Sequence, residues 1–150
     1  MNIQKQIAAF ALALAASAAG AADGLVMVKS PYATKETMNR LAAQVEARGL
    51  KVFARIDHAA GAATIGATLR PTELLIFGNP QGGTPFMACA QTVGIDLPLK
   101  ALVWEDVGGQ VWLGYNAPAF LAKRHGVADC PVTAKLDGAL AGIVGATVAK

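Results

Sequence analysis

An aspartate stands directly before a histidine at Asp57-His58, the most suggestive pair in the chain. A carboxylate beside an imidazole can orient it for general-base work or for holding a metal. Neighbours on a strand point to opposite faces, so contact between them requires the strand to end there. A simpler reading makes Asp57 a helix cap, its carboxylate accepting from the first free N–H groups, and His58 a hydrogen-bonded structural residue. Glu105 sits between Val103 and Val107 in an apolar segment. A lone buried carboxylate is expensive, so Glu105 needs a cation such as Arg55 or Lys100, or else becomes an acid–base candidate with a raised pKa. The catalytic candidates are thus Glu105 and His58. The candidates for holding a ligand are Asp57, His58, Asn79, Glu105 and Tyr115, although Tyr115-Asn116 also reads as a strand end followed by a helix cap.

For a metal the candidates are His58, His125 and Met87. Met87 and Cys89 with a histidine would offer copper(I) its soft ligands, and a disulfide at Cys89 would remove that option. His125 closes the run Lys123-Arg124-His125, which suits the negative end of a helix without any ligand. Two enzyme classes are excluded. Gly78 and Gly83 have the first spacing of a Walker loop, but Thr84 stands where its lysine belongs, and no lysine occurs from Leu69 to Met87. Ser30 is the one serine after residue 22, and Pro31 follows it, which leaves a serine hydrolase no nucleophile.

The chain begins with a short basic head, an apolar run from Ile7 to Ala16, and small residues to Ala22. This reads as a secretory signal peptide over residues 1–22, cut after Ala21 or Ala22. The apolar run is shorter than the roughly 20 residues that span a bilayer. No cysteine follows it to carry a lipid. Export to the periplasm or beyond is expected, with no transmembrane segment after cleavage. Removing 22 residues from 150 leaves 128, a single domain over 23–150. Of 13 Lys and Arg, Lys5 lies in the leader, so 12 remain against 10 Asp and Glu. That near-neutral balance carries no footprint for nucleic acid.

Two cysteines, Cys89 and Cys130, make one disulfide in an oxidising compartment; two free thiols or ligands for a soft metal are the alternatives. A bridge closing this loop would stabilise the fold by about 4 kcal/mol in the chain-entropy model.

Gly24 to Lys29 reads as a first strand. Met38, Leu41 and Val45 fall at helical spacing between Thr34 and Arg48, with Gly49 as the residue that ends the helix. Lys51 to Asp57 alternates as a second strand, with Val52, Ala54 and Ile56 on one face. Asp57 then caps a short helix over His58 to Ile65. Leu74 to Phe77 is a buried strand, and Thr84 to Gln91 makes a helical turn or two. Gly108-Gly109 reads as a two-residue hairpin turn between Ala101–Val107 and Gln110–Tyr115. In that register Glu105 lies opposite Trp112 and Trp104 opposite Leu113. Leu102, Trp104, Val111, Leu113 and Tyr115 then face the core, whereas Val103, Glu105, Val107 and Trp112 form a half-apolar outer face that wants a second subunit. Asn116 caps a helix from Ala117 to His125. A last helix, Val132 to Thr147, carries Leu136, Leu140, Ile143 and Val144 on one stripe, and Gly138, Gly142 and Gly145 weaken it or permit a close approach. The elements describe an α+β fold, an antiparallel sheet with helices on one side.

The stretches "LRPTELLIFGNPQGGTPFM", "FARIDHAAGA", "IDLPLKALVWED" and "VWLGYNAPAFLAKRHG" together resemble the domain-of-unknown-function 302 family, in consecutive order over nearly all of the chain after the leader. Gly78-Asn79-Pro80 followed by Gly83-Thr84-Pro85 is the most characteristic part. The resemblance implies a small two-layer α+β fold like that of the TATA-binding protein, and a homodimer. It implies no established activity, and shared architecture does not transfer DNA binding. The paired cysteines look like those of exported members. Where relatives place a serine to cap the first helix this chain has Ala33, which leaves the cap to Thr34.

The expectation is an exported, disulfide-bridged homodimer that binds a small molecule or a periplasmic protein, with its site near Gly78–Pro85, His58 or Glu105. The rivals are a periplasmic protein holding copper or haem, and an enzyme with Glu105 or His58 as its acid–base group. The residues do not identify a cofactor.

Overall fold

The computed structural model describes residues 22–150; apart from Ala22, the expected leader lies outside the described residues. Five strands form one antiparallel sheet: β1 (Leu25–Ser30), β2 (Lys51–Asp57), β3 (Thr72–Gly78), β4 (Leu99–Glu105) and β5 (Val111–Asn116), in the order β1-β5-β4-β3-β2. Helices α1 (Thr34–Ala47), α2 (His58–Ala63), α3 (Pro80–Cys89), α4 (Pro118–Arg124) and α5 (Val132–Val148) connect or follow them, with a 3₁₀ segment at Gln91–Ile95.

The core lies between the sheet and the pair α1 and α5. Met38, Leu41 and Val45 from α1 meet Leu140, Ile143 and Val144 from α5 over Leu75, Phe77, Ala101, Val103, Leu113 and Tyr115 of the sheet. Both helical stripes are those expected from the apolar spacing. Gly49 ends α1 with φ of +70°, a conformation glycine adopts without strain. A second apolar cluster joins Phe86, Val93, Leu121, Ala122, Cys130 and Leu136 beside α3 and α4. Cys89 and Cys130 are joined in a disulfide, with Cα atoms 6.0 Å apart.

Several expectations are corrected. The hairpin between β4 and β5 pairs Trp104 with Trp112 and Glu105 with Val111, one residue away from the register expected. The Asp106 carboxylate is the reason. It accepts from the N–H groups of Gly108 and Gln110 at 2.8 and 3.0 Å, while the Asp106 N–H donates to the Gln110 carbonyl at 2.9 Å. These bonds make a three-residue connection in which Gly109 alone has positive φ, +79°. A one-residue slip turns a strand over. Val103 is therefore in the core, and Trp104 stacks on Trp112 outside it, ring centroids 6.5 Å apart.

Strand β2 also departs from plain alternation, because its register shifts between Val52 and Ala54. Helix α3 begins four residues before the expected Thr84. Asn116 remains the last residue of β5, paired with Leu25, so it caps nothing; the N-cap of α4 is Ala117, with no side-chain bond. Thr34 does not cap α1 either: its hydroxyl is buried without a partner, while Thr37 bonds to Ser30 at 2.7 Å. Gly138, Gly142 and Gly145 approach no neighbour, since a Cβ at any of them would meet nothing within 4 Å.

Candidate functional site

Two devices shape one end of the sheet. The first is the stretch from Gly78 to Thr84, which is the entry into α3 rather than a loop. Asn79 has extended backbone and its Oδ1 accepts from the Gly82 N–H at 3.0 Å, with Pro80 at the first helical position. Gly82 then lets α3 lie against α5: a Cβ there would come within 3.1 Å of Leu136 Cδ2. The second device is the irregularity in β2. A bulge re-aims a side chain, and Phe53, the residue skipped by the pairing, is half exposed.

Between these devices lies a half-open cleft of about 420 Å³. Helix α3 supplies Gly82, Gly83 and Met87, α5 supplies Leu136, Leu140 and Ile143, the following segment supplies Leu97 and Pro98, and Phe53 stands at the sheet side. The volume falls in the range of small-molecule sites. None of the lining residues ionises. Asn79 and Thr84 are its polar side chains, so the cleft has largely apolar walls and offers no acid, base or cation.

The other candidate residues lie elsewhere. Asp57 caps α2, accepting from the Ala60 N–H at 2.8 Å, as its position before a helix implied. His58 is exposed at the start of that helix. Glu105 is half-buried at the end of β4, where its N–H donates to the Pro71 carbonyl at 3.0 Å. Arg55, an expected partner for Glu105, pairs instead with Glu73 and donates to Asn39 on α1. Asp57 pairs with Glu73 at one end of β3 and Lys51 with Gly78 at the other, so His58 and Glu105 lie a strand length, roughly 20 Å, from the cleft. Tyr115 is in the core, where burial, and secondarily the charge of Asp137, pushes its phenol above the ordinary value. Of the binding candidates, Asn79 is the one at the cleft; Met87, considered above for a metal, also lines it.

His125 is fully engaged. Its Nε2 lies 2.7 Å from Asp96 Oδ2, its Nδ1 lies 3.0 Å from Thr92 Oγ1, and Arg124 also holds Asp96 at 3.0 Å. Asp96 was not singled out in the sequence, because nothing local marks a residue 29 positions away as the partner. The cluster pins the segment that carries Gly94 and Leu97 to the end of α4. With Cys89 in the disulfide and both His125 nitrogens bonded, neither reaches Met87 as a metal ligand. No group of three or more His, Cys, Asp or Glu side chains able to hold a metal occurs among the described residues, and no described helix is long and apolar enough to cross a membrane.

A five-stranded antiparallel sheet under packed helices, with an apolar cleft at the sheet end, defines an α+β domain. The chain belongs to the family described as Domain of unknown function DUF302, which it matches over residues 26–143. A solved structure, an uncharacterized conserved DUF302 protein from Bacillus stearothermophilus, has the same fold: TM-score 0.74, 21% identity, 84% of this chain and 99% of that one covered. The chain is also 49% identical over 119 residues to the fluoride-specific ion channel FluC 1 of Brucella suis, covering 77% of this chain and 47% of that protein. It has the same identity to FluC 2 of Brucella melitensis, covering 44% of it. The chain thus spans less than half the length of the curated relatives it matches.

Proposed function

We propose that this protein is an exported, homodimeric module that binds a small apolar molecule in the cleft between α3 and α5. The observation that carries the reading is the cleft itself, about 420 Å³ walled by non-ionising side chains and closed on one side by residues between Gly78 and Thr84. Binding rather than catalysis is favoured because Glu105 and His58 stand outside it. Export rests on the leader-like residues 1–22 and accords with a disulfide, a bond that persists outside the reducing cytosol.

The homodimer would use the sheet face away from α1 and α5. Trp104 and Trp112 stack there, with Lys29 Nζ 5.5 Å from the Trp112 ring centre. Trp112→Glu tests this: a dimer that dissociates supports the sheet-face interface, and one unchanged in sedimentation removes it.

Ligand binding is tested with Gly83→Leu. A Cβ at Gly83 would lie 3.6 Å from Leu97 Cδ1, an ordinary contact, so the longer side chain enters the cleft without breaking its wall. Titration of 2-ethylnaphthalene, a neutral apolar probe, should give saturable binding to the wild type and at least about tenfold weaker binding to the variant. Equal affinities would refute the cleft as the site.

A second reading comes from the relatives. A segment nearly half identical to this chain forms part of proteins named as fluoride channels, which makes a membrane channel a candidate partner. Cross-linking in cells that also carry such a channel tests the partnership; recovery of the protein without the channel would count against it.

A further inference from the structure

We infer that the molecule held in the cleft is uncharged and carries a hydrogen-bond acceptor, such as a ketone or ester carbonyl, beside its apolar body. This rests on the cleft being the binding site, and it follows from how Asn79 is held. An asparagine amide has one acceptor end and one donor end. The Oδ1 of Asn79 is committed to the Gly82 N–H at 3.0 Å as the cap of α3. The cap therefore fixes which way the amide is turned. Its Nδ2 has no protein partner among the described residues, and Asn79 lines the cleft. A group with two N–H donors thus stands at the margin of a space whose other polar side chain is Thr84.

The surroundings sharpen the choice. Leu50, Leu97, Leu99, Leu136, Leu140 and Ile143 give the ligand body aliphatic walls, and Phe53 and Met87, both partly exposed, flank the opening. A carboxylate or ammonium would have to shed water against these side chains with no opposite charge to meet it, a large cost. A carbonyl loses less on entering and regains a hydrogen bond from Asn79 Nδ2. The donor also discriminates. A ligand without an acceptor would cover the amide and leave it unpaired.

A matched series of probes separates this inference from the reading beneath it. The series is 2-acetylnaphthalene, 2-ethylnaphthalene and 2-naphthoate, which share a ring system and differ in the acceptor and the charge. The full chain without its leader should bind the ketone about three- to tenfold more tightly than the alkyl probe, and the carboxylate most weakly. The Asn79 side-chain amide resonances in a ¹⁵N spectrum should shift with the ketone and much less with the alkyl compound. Asn79→Asp keeps an oxygen for the Gly82 cap but removes the amide donor, and should reduce the ketone's advantage over the alkyl probe to less than about twofold. Ketone and alkyl probes binding equally to the wild type would overturn the acceptor inference and leave the cleft reading standing. Tightest binding of the carboxylate would also overturn it. Failure of all three to bind would remove both.

Discussion

Gly82 and Leu136 meet where α3 lies against α5, so closely that a Cβ at position 82 would come within 3.1 Å of Leu136 Cδ2. The contact sets the spacing of the two helices that wall the cleft. Crowding at a glycine decides the sign of its substitution. At Gly114, a Cβ would meet the Val26 carbonyl and the Trp104 ring at 3.1 Å, with backbone and a stacked ring unable to yield. Gly114→Ala should cost about 1–3 kcal/mol and Gly82→Val a similar amount. Gly142→Ala on the open side of α5 should instead stabilise by about 0.5–1 kcal/mol through helix propensity. Chemical denaturation of the three variants checks the signs.

The disulfide joins the last residue of α3 to Cys130, just before α5, so it ties the two cleft walls at one end. Cys89→Ala with Cys130→Ala should lower stability by about 3–4 kcal/mol, the upper end for a loop of this length. Affinity for 2-ethylnaphthalene should fall as well, because the walls are then held only by packing and by the Asp96–His125 cluster. Denaturation and titration of the double variant beside the wild type measure both effects. Unchanged affinity would mean that the bridge stabilises the fold without shaping the cleft.

Asp106 predicts a pH response. The Trp112 indole N–H donates to its Oδ2 at 2.8 Å, and this bond, followed by those from the backbone of Gln110 and Gly108, holds the carboxyl below its ordinary value of 3.8. The folded state therefore favours the charged form. That contribution is fully present above pH 3.8 and is lost as pH falls below it through the depressed folded value. The Trp112 indole N–H resonance should titrate with a midpoint below 3.8. In Asp106→Asn that titration should vanish, and the acid side of the stability profile should flatten.

Strands, their order along the chain and the stripes of α1 and α5 were legible because apolar periodicity is a local signal. Asp57 as a cap was legible for the same reason. The hairpin register was not. Gly108-Gly109 looked like a sufficient turn, and only the bonds from Gly108 and Gln110 to the Asp106 carboxylate show why the turn is longer. One residue of slip then exchanged Val103 for Trp104 at the core. The stretch Gly78 to Thr84 looked like a loop because of its glycines and prolines, although Asn79-Pro80 is a good helix start. Of the three neighbourhoods named for a site, the stretch from Gly78 borders the cleft, but the other walls of that cleft were not foreseen. Leu136, Leu140 and Ile143 looked like pure core, and nothing in the sequence marks the bulge that exposes Phe53.

The most direct measurement is chemical-shift mapping of 2-ethylnaphthalene on ¹⁵N-labelled protein, purified without its leader and with the disulfide intact. Saturable shifts gathered at Gly82, Gly83, Gly94, Leu97 and Ala139, and absent from the Gly83→Leu variant, are the predicted result. Shifts centred on Trp104 and Trp112, or near His58 and Glu105, with the cleft residues silent, would contradict it.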